Sequence, residues 1–224
     1  MDLAKGIWDR DGKDEMGSLA YTFLVSFFFI LNLLIVTIGS AVTYTWEFSW
    51  GLVIASFLIA LVSIFIFQGS DNWIVSELGV GAMSASLGAM IGSAFHLYKL
   101  DSVLSILALT LVVTVACSIT GLLLVASGTN LTSGGGILLQ ILGILLIGNV
   151  LRMFLPAFGI AADLKWLDWI GVLLFSAYTV YEWNRAMFLP KTINNAVDTS
   201  GALVLDAVNI FLNLLSIFGV KNDD

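Results

Sequence analysis

Cysteine, histidine and positive charge are scarce in this sequence. Cys117 is its one cysteine, so neither an intrachain disulfide nor a thiolate metal cluster can form. Set in an apolar run, it reads as a small buried hydrophobe. His96 is the one histidine. It stands beside Tyr98 with no Gly-x-Ser-Gly-like motif to serve, which argues against an intramembrane serine protease. Lysine and arginine number 9 against 16 aspartates and glutamates, a net charge of −7. That balance lacks the basic stripes of a nucleic-acid binder. Charged residues of both signs make up 11% of the chain, where a soluble domain carries about 25%.

What fills the space is apolar. Hydrophobic residues form 59% of the 224 positions, more than a core of this size can hide, so the bilayer is the expected second solvent. A helical span needs roughly 20 mostly apolar residues. The pattern predicts an all-α, polytopic membrane protein with seven such spans, at about Ser18–Tyr44, Gly51–Gln68, Ile74–Tyr98, Ser102–Ser127, Ile137–Phe158, Leu167–Met187 and Ala202–Val220. Pro156 falls near the end of the fifth. Residues 1–17 read as a cytoplasmic N-terminal segment, 18–220 as the seven-helix domain and 221–224 as a polar tail. The first apolar run is too long for a signal sequence and is read as a span. Small-xxx-small spacings in the third span, Gly81…Ala85…Ala89 and Gly88…Gly92, predict close helix packing.

Three positive charges before the first span, Lys5, Arg10 and Lys13, favour a cytoplasmic N-terminus. The C-terminus then lies outside. The Asn130 acceptor in NLT faces the cytoplasm, where it is idle.

Ionisable residues inside a span are functional candidates by default, because hydrocarbon penalises them. Glu182 lies near the end of the sixth span and Asp206 near the start of the seventh. Consecutive spans are antiparallel, so both reach similar depth on one side. Two close carboxylates in a poorly hydrated site cannot both ionise cheaply; such a pair binds a shared proton or helps coordinate Ca²⁺. Asn209 and Asn213 continue a polar stripe from Asp206. Gln68, Ser70, Asp71 and Glu77 fall on the same side of the membrane. A blander reading stands beside this one. Glu182 and Arg185 are spaced i, i+3 and can pair locally, while Asp206 can be a first-turn acid favoured by the helix dipole.

The stretch LLFSAYTVYEWNRA, with Tyr178 in its Phe-Ser-x-Tyr portion, and the stretch LVLDAVNIFLNLLSIFG resemble the Bax inhibitor-1 family, especially its bacterial members. The likeness is specific over about 173–219 and diffuse elsewhere. It implies a seven-helix fold whose last helix is central, wrapped by the other six, in a bacterial plasma membrane. It also implies a pH-sensitive calcium leak whose sensor acids fall at Glu182 and Asp206, the candidate Ca²⁺ ligands. Three positions depart from the family pattern. Glu182 replaces an aspartate. The end of the second span, IFIFQGSDNW, lacks the family's basic residues, so Arg185 is the expected counter-charge. Ser216 replaces an arginine. Protonation would relieve repulsion between the acids and also weaken any Arg185 bridge, and these effects oppose.

Two functional classes follow from the resemblance. One is a leak channel gated by Glu182 and Asp206, with Tyr178, Arg185, Asn209 and Asn213 in support. The other is a non-conducting regulator that binds membrane protein partners such as proteases or cell-death proteins. A retinal-type protein needs a lysine in the seventh span, and none is there. No enzyme activity and no resident cofactor are expected.

Overall fold

A computed structural model of the protein describes residues 15–46, 49–154 and 164–222. Residues 1–14, Pro156 and the end of the expected fifth span lie outside that description, as does the side chain of His96. Among the described residues there are seven α-helices: α1 (Ser18–Thr43), α2 (Trp50–Gly69), α3 (Trp73–Ala94), α4 (Leu100–Ala126), α5 (Gly135–Phe154), α6 (Lys165–Ala186) and α7 (Ile193–Phe218). Six stretches among the described residues are long and apolar enough to cross a membrane: α1 to α4, α7, and Thr132–Asn149, which opens on a 3-10 turn and continues into α5. α6 falls short because Asp168, Glu182 and Asn184 dilute its apolar residues.

Local chemistry sets the helix ends. The Asn72 side chain accepts the backbone N–H of Ile74 at 2.9 Å and opens α3, as an N-cap does. Thr192 does the same for α7, its hydroxyl accepting from Asn195 N–H at 3.1 Å. That cap corrects the sequence expectation: α7 begins at Ile193, nine residues before Ala202. The polar run INNAVDTSG is helical because its Asn, Thr and Ser side chains are buried within the fold. Asp206 therefore lies mid-helix, which excludes a first-turn, dipole-stabilised role for it.

The chain divides into two compact units. The first contains residues 1–100, 186–205 and 220–224. Its organising element is α3, whose small residues take close backbone approaches. A Cβ at Gly88 would collide with the Val36 carbonyl of α1, and one at Gly92 with the Ser40 carbonyl. Gly81 meets ordinary contact only, Ile35 Cδ1 at 3.7 Å. Of the two predicted spacings, Gly88…Gly92 is thus the tight α1–α3 seam. Buried polar groups add direction: Asn32 Nδ2 donates to Glu77 Oε1 at 3.0 Å, and Ser84 Oγ donates to Asn32 Oδ1 at 3.2 Å. Asn194 accepts from Ser76 Oγ at 3.1 Å and donates to the Ser70 carbonyl at 3.1 Å. The chain's end also belongs here. Lys99 N–H donates to Val220 O at 2.8 Å and Asn222 N–H to Leu97 O at 3.1 Å, so the tail is paired through Asn222.

The second unit contains residues 101–185 and 206–219, that is α4, α5, α6 and the C-terminal half of α7. α4 closes on Gly128, whose φ of 81° is open to glycine and strained for other residues. Gly128 N–H donates to Val125 O and Thr129 N–H to Leu124 O, each at 2.9 Å. This is the Schellman arrangement, and it turns the chain into the α4–α5 connection.

Candidate functional site: a carboxylate pair on α6 and α7

Two contacts fix the register of α6 against α7. Gly171 leaves room for the Asn213 side-chain amide, which a Cβ there would overlap. Three residues back along α6 and three on along α7, Ser216 Oγ donates to Asp168 Oδ2 at 2.8 Å. Seven residues on from Gly171 is Tyr178, and seven back from Asn213 is Asp206. Asp206 is therefore level with Tyr178 and Thr179, one turn from Glu182.

The side chains agree with that register. Asp206 is 5% exposed, is hydrogen-bonded to Thr179, and lies close enough to Glu182 for the two carboxyl groups to act on each other. Its Oδ2 has no hydrogen-bond partner among the described residues. Glu182 is buried too, at 9% exposure. Its Oε2 accepts from Arg185 Nη1 at 3.1 Å. The local i, i+3 pair of the bland reading is thus present, and it coexists with the approach to Asp206. Tyr178 is within electrostatic reach of both acids and stacks on Phe175 at 6.3 Å.

Asn213 is engaged along α7 and against α6. Asn213 Nδ2 donates to the Asn209 carbonyl at 2.7 Å within α7, and its amide fills the space left by Gly171. Cys117 is half-buried, not fully buried as its setting suggested. It is hydrogen-bonded to Ser176 and feels the Asp206 charge. Glu77 is bound to Asn32 within the first unit.

Sequence reasoning missed three contributors. Thr179 was hidden inside a stretch read for its aromatics and acid. Asn184 is fully buried; its Oδ1 accepts Leu131 N–H at 2.8 Å and its Nδ2 donates to Thr129 O at 2.9 Å. At the other end of α6, Asp168 is 5% exposed and takes Arg152 Nη1 at 2.9 Å. Arg152 stands in the last turn of α5 and Asp168 in the first turn of α6, each at the helix end whose dipole suits its charge.

The family model described as "Inhibitor of apoptosis-promoting Bax1" matches residues 17–223. The chain belongs to this family. A further relative is an uncharacterized protein of Borreliella burgdorferi, 26% identical over 181 residues that cover 76% of this chain and 75% of that protein. As a member of the Bax1 inhibitor family with six strongly apolar helical stretches, this is an integral membrane protein. Its buried acids therefore need a physical account in a low-dielectric setting.

Proposed function

We propose that this Bax1 inhibitor family member is a pH-sensitive calcium leak channel of the bacterial plasma membrane, gated by Glu182 and Asp206. The observation that carries the reading is the Asp206 carboxyl group, buried mid-helix beside Glu182 with one oxygen unpartnered among the described residues. Glu182 is already charge-matched by Arg185, so Asp206 is the member that takes up the shared proton. Thr179, at the same level of α6, donates its hydroxyl proton to the Phe175 carbonyl at 3.0 Å.

In this reading α6 is the seventh span. At about 1.5 Å per residue its 22 residues reach about 33 Å, enough for a hydrocarbon core of roughly 30 Å. Two contacts inside the first unit support that count. Met16 N–H donates to Lys191 O at 3.0 Å, so the starts of α1 and α7 share a membrane face and an even number of crossings separates them. The Val220–Asn222 pairing with Leu97–Lys99 puts the same condition on α4 to α7. Counting α6 as a crossing meets both conditions. The positive N-terminal segment favours that first face as cytoplasmic. α7 is the most buried of the six apolar stretches, which favours it as the central helix.

Calcium is cargo in this scheme, not a resident ion. Ca²⁺ takes six to eight oxygen ligands, and no group of three or more metal-ligating acidic, histidine or cysteine side chains occurs among the described residues. Two carboxylates and a hydroxyl suit brief contact along a path. Past Asn213, α7 buries Leu214 and Leu215, a hydrophobic closure. The test is Ca²⁺ flux into proteoliposomes across pH, for wild type, Glu182→Gln and Asp206→Asn. Wild type is expected to show pH-dependent flux, and both variants to lose the pH dependence. No flux in any form refutes the channel and favours a regulator that binds partner proteins. Flux with unchanged pH dependence in both variants removes the sensor.

A further inference from the structure

We propose that Asn184 is the positioning residue of the carboxylate pair, and that through it the α4–α5 connection sets how closely Glu182 approaches Asp206. The inference rests on the pair's being the proton-binding site proposed above. Asn184 lies between Glu182 and Arg185, yet it hydrogen-bonds to neither acid. Both polar atoms of its amide are committed to the connection, Oδ1 to Leu131 N–H and Nδ2 to Thr129 O. Those two backbone groups are presented by the Gly128 turn that ends α4. They are internal to an exposed loop, where water would serve them equally well. A buried amide reaching out to them therefore fixes α6 more than it serves the loop.

A second hold flanks the same turn. The Tyr181 hydroxyl lies against Gly135, the first residue of α5, where an added Cβ would overlap it. The last turns of α6 are thus gripped at Tyr181 and Asn184, on either side of Glu182, by residues 129–135. The opposite grip is the Gly171–Asn213 contact, which ties α6 to α7 three turns away. Between these fixed points, the reach of Glu182 towards Asp206 is determined by the connection. The titratable and charged groups facing the acids are Arg185 and Tyr178 on α6 and Cys117 on α4, with Tyr181 beside Tyr178. Neither hydrogen bond of the Asn184 amide goes to any of them.

The test follows protonation directly in the reconstituted full-length protein. The infrared carbonyl stretch of a protonated carboxyl group, assigned by its loss in Asp206→Asn, is titrated against pH alongside Ca²⁺ flux. Asn184→Ala frees the end of α6, separates the like charges, and is expected to move the midpoint to lower pH by about one unit, a tenfold change in proton activity. A merely structural role would change the melting temperature and leave the midpoint in place. Should Asn184→Ala fail to assemble, Asn184→Ser carries the same test, because its single short hydroxyl cannot hold both Leu131 N–H and Thr129 O. A midpoint equal to that of wild type in the variant that assembles overturns the proposal. The shift without Ca²⁺ flux in any form overturns the channel and leaves the positioning role standing. No carboxyl band lost in Asp206→Asn overturns both.

Discussion

Replacing Arg152 by alanine leaves the Asp168 carboxylate buried with Ser216 as its remaining hydrogen-bond donor among the described residues. The two partners differ in exposure: the Arg152 side chain is 36% exposed and that of Asp168 is 7% exposed. Removing one member of a buried ion pair costs about 3–5 kcal/mol when the survivor cannot reach water. Asp168 cannot, but Ser216 Oγ still donates to Oδ2 at 2.8 Å, which puts Arg152→Ala near the low end, about 3 kcal/mol. The complementary change is milder. Asp168→Asn leaves an uncharged amide that can still accept from Ser216. The stranded guanidinium is a third exposed and finds water or lipid headgroups. The loss is then about 1–1.5 kcal/mol, the upper part of the range for an ordinary net hydrogen bond.

The expected result is an asymmetry, with Arg152→Ala the more damaging variant by about 1–2 kcal/mol. Reversible unfolding in mixed detergent micelles, followed by far-ultraviolet circular dichroism, gives the comparison. The double variant sharpens it. With the charge gone from residue 168, losing Arg152 should add little, so the two changes should be strongly non-additive. If Arg152→Ala cost no more than Asp168→Asn, or if the two added independently, the tie between α5, α6 and α7 would not be the stabilising contact described.

Two further outcomes probe the first unit. Gly88→Ala should lower the melting temperature of the reconstituted protein clearly, because its Cβ meets the Val36 backbone carbonyl, while Gly81→Ala, in ordinary contact at 3.7 Å, should be near neutral; equal effects would refute the α1–α3 seam. Asn32→Leu removes the side-chain partner of Glu77 Oε1 and of Ser84 Oγ. It should cost about 1 kcal/mol, as interhelical hydrogen bonds in membranes do, in the same detergent unfolding assay, and an unchanged stability would refute a structural role for that network.

The helices were legible because a bilayer demands long apolar runs, and boundaries for α1 to α4 fall within a few residues of the sequence reading. The failure at α7 has a definite cause. INNAVDTSG looks like a loop by composition, but Thr192 caps it and buried partners such as Ser76 satisfy its asparagines. Composition cannot report such partners, since they come from residues more than a hundred positions away. Glu182 and Asp206 stood out because charge in an apolar run is conspicuous. Thr179 and Asn184 did not, because an uncharged polar residue in a helix end usually faces water. Their roles arise only when the α6–α7 register and the Gly128 turn are known. Ser216 is a related case. The resemblance marked it as the loss of an arginine, whereas the structure makes it a donor to Asp168, with Arg152 supplying the positive charge.

Within the second unit, α6 carries two acids that are each matched by a guanidinium. At its N-terminal end Asp168 is matched by Arg152, and near its C-terminal end Glu182 is matched by Arg185. A carboxylate held by a guanidinium is favoured in its charged form and resists protonation. Asp206 has no such cation against it among the described residues; its named neighbours are Thr179, Glu182, Tyr178 and Cys117. It also sits on the opposing helix, between the Gly171–Asn213 contact and the turn gripped by Asn184. A change of charge at Asp206 therefore acts on Glu182 across the α6–α7 seam, between two points where that seam or α6 itself is fixed. The turn carrying Glu182 and Arg185 is the one the α4–α5 connection holds.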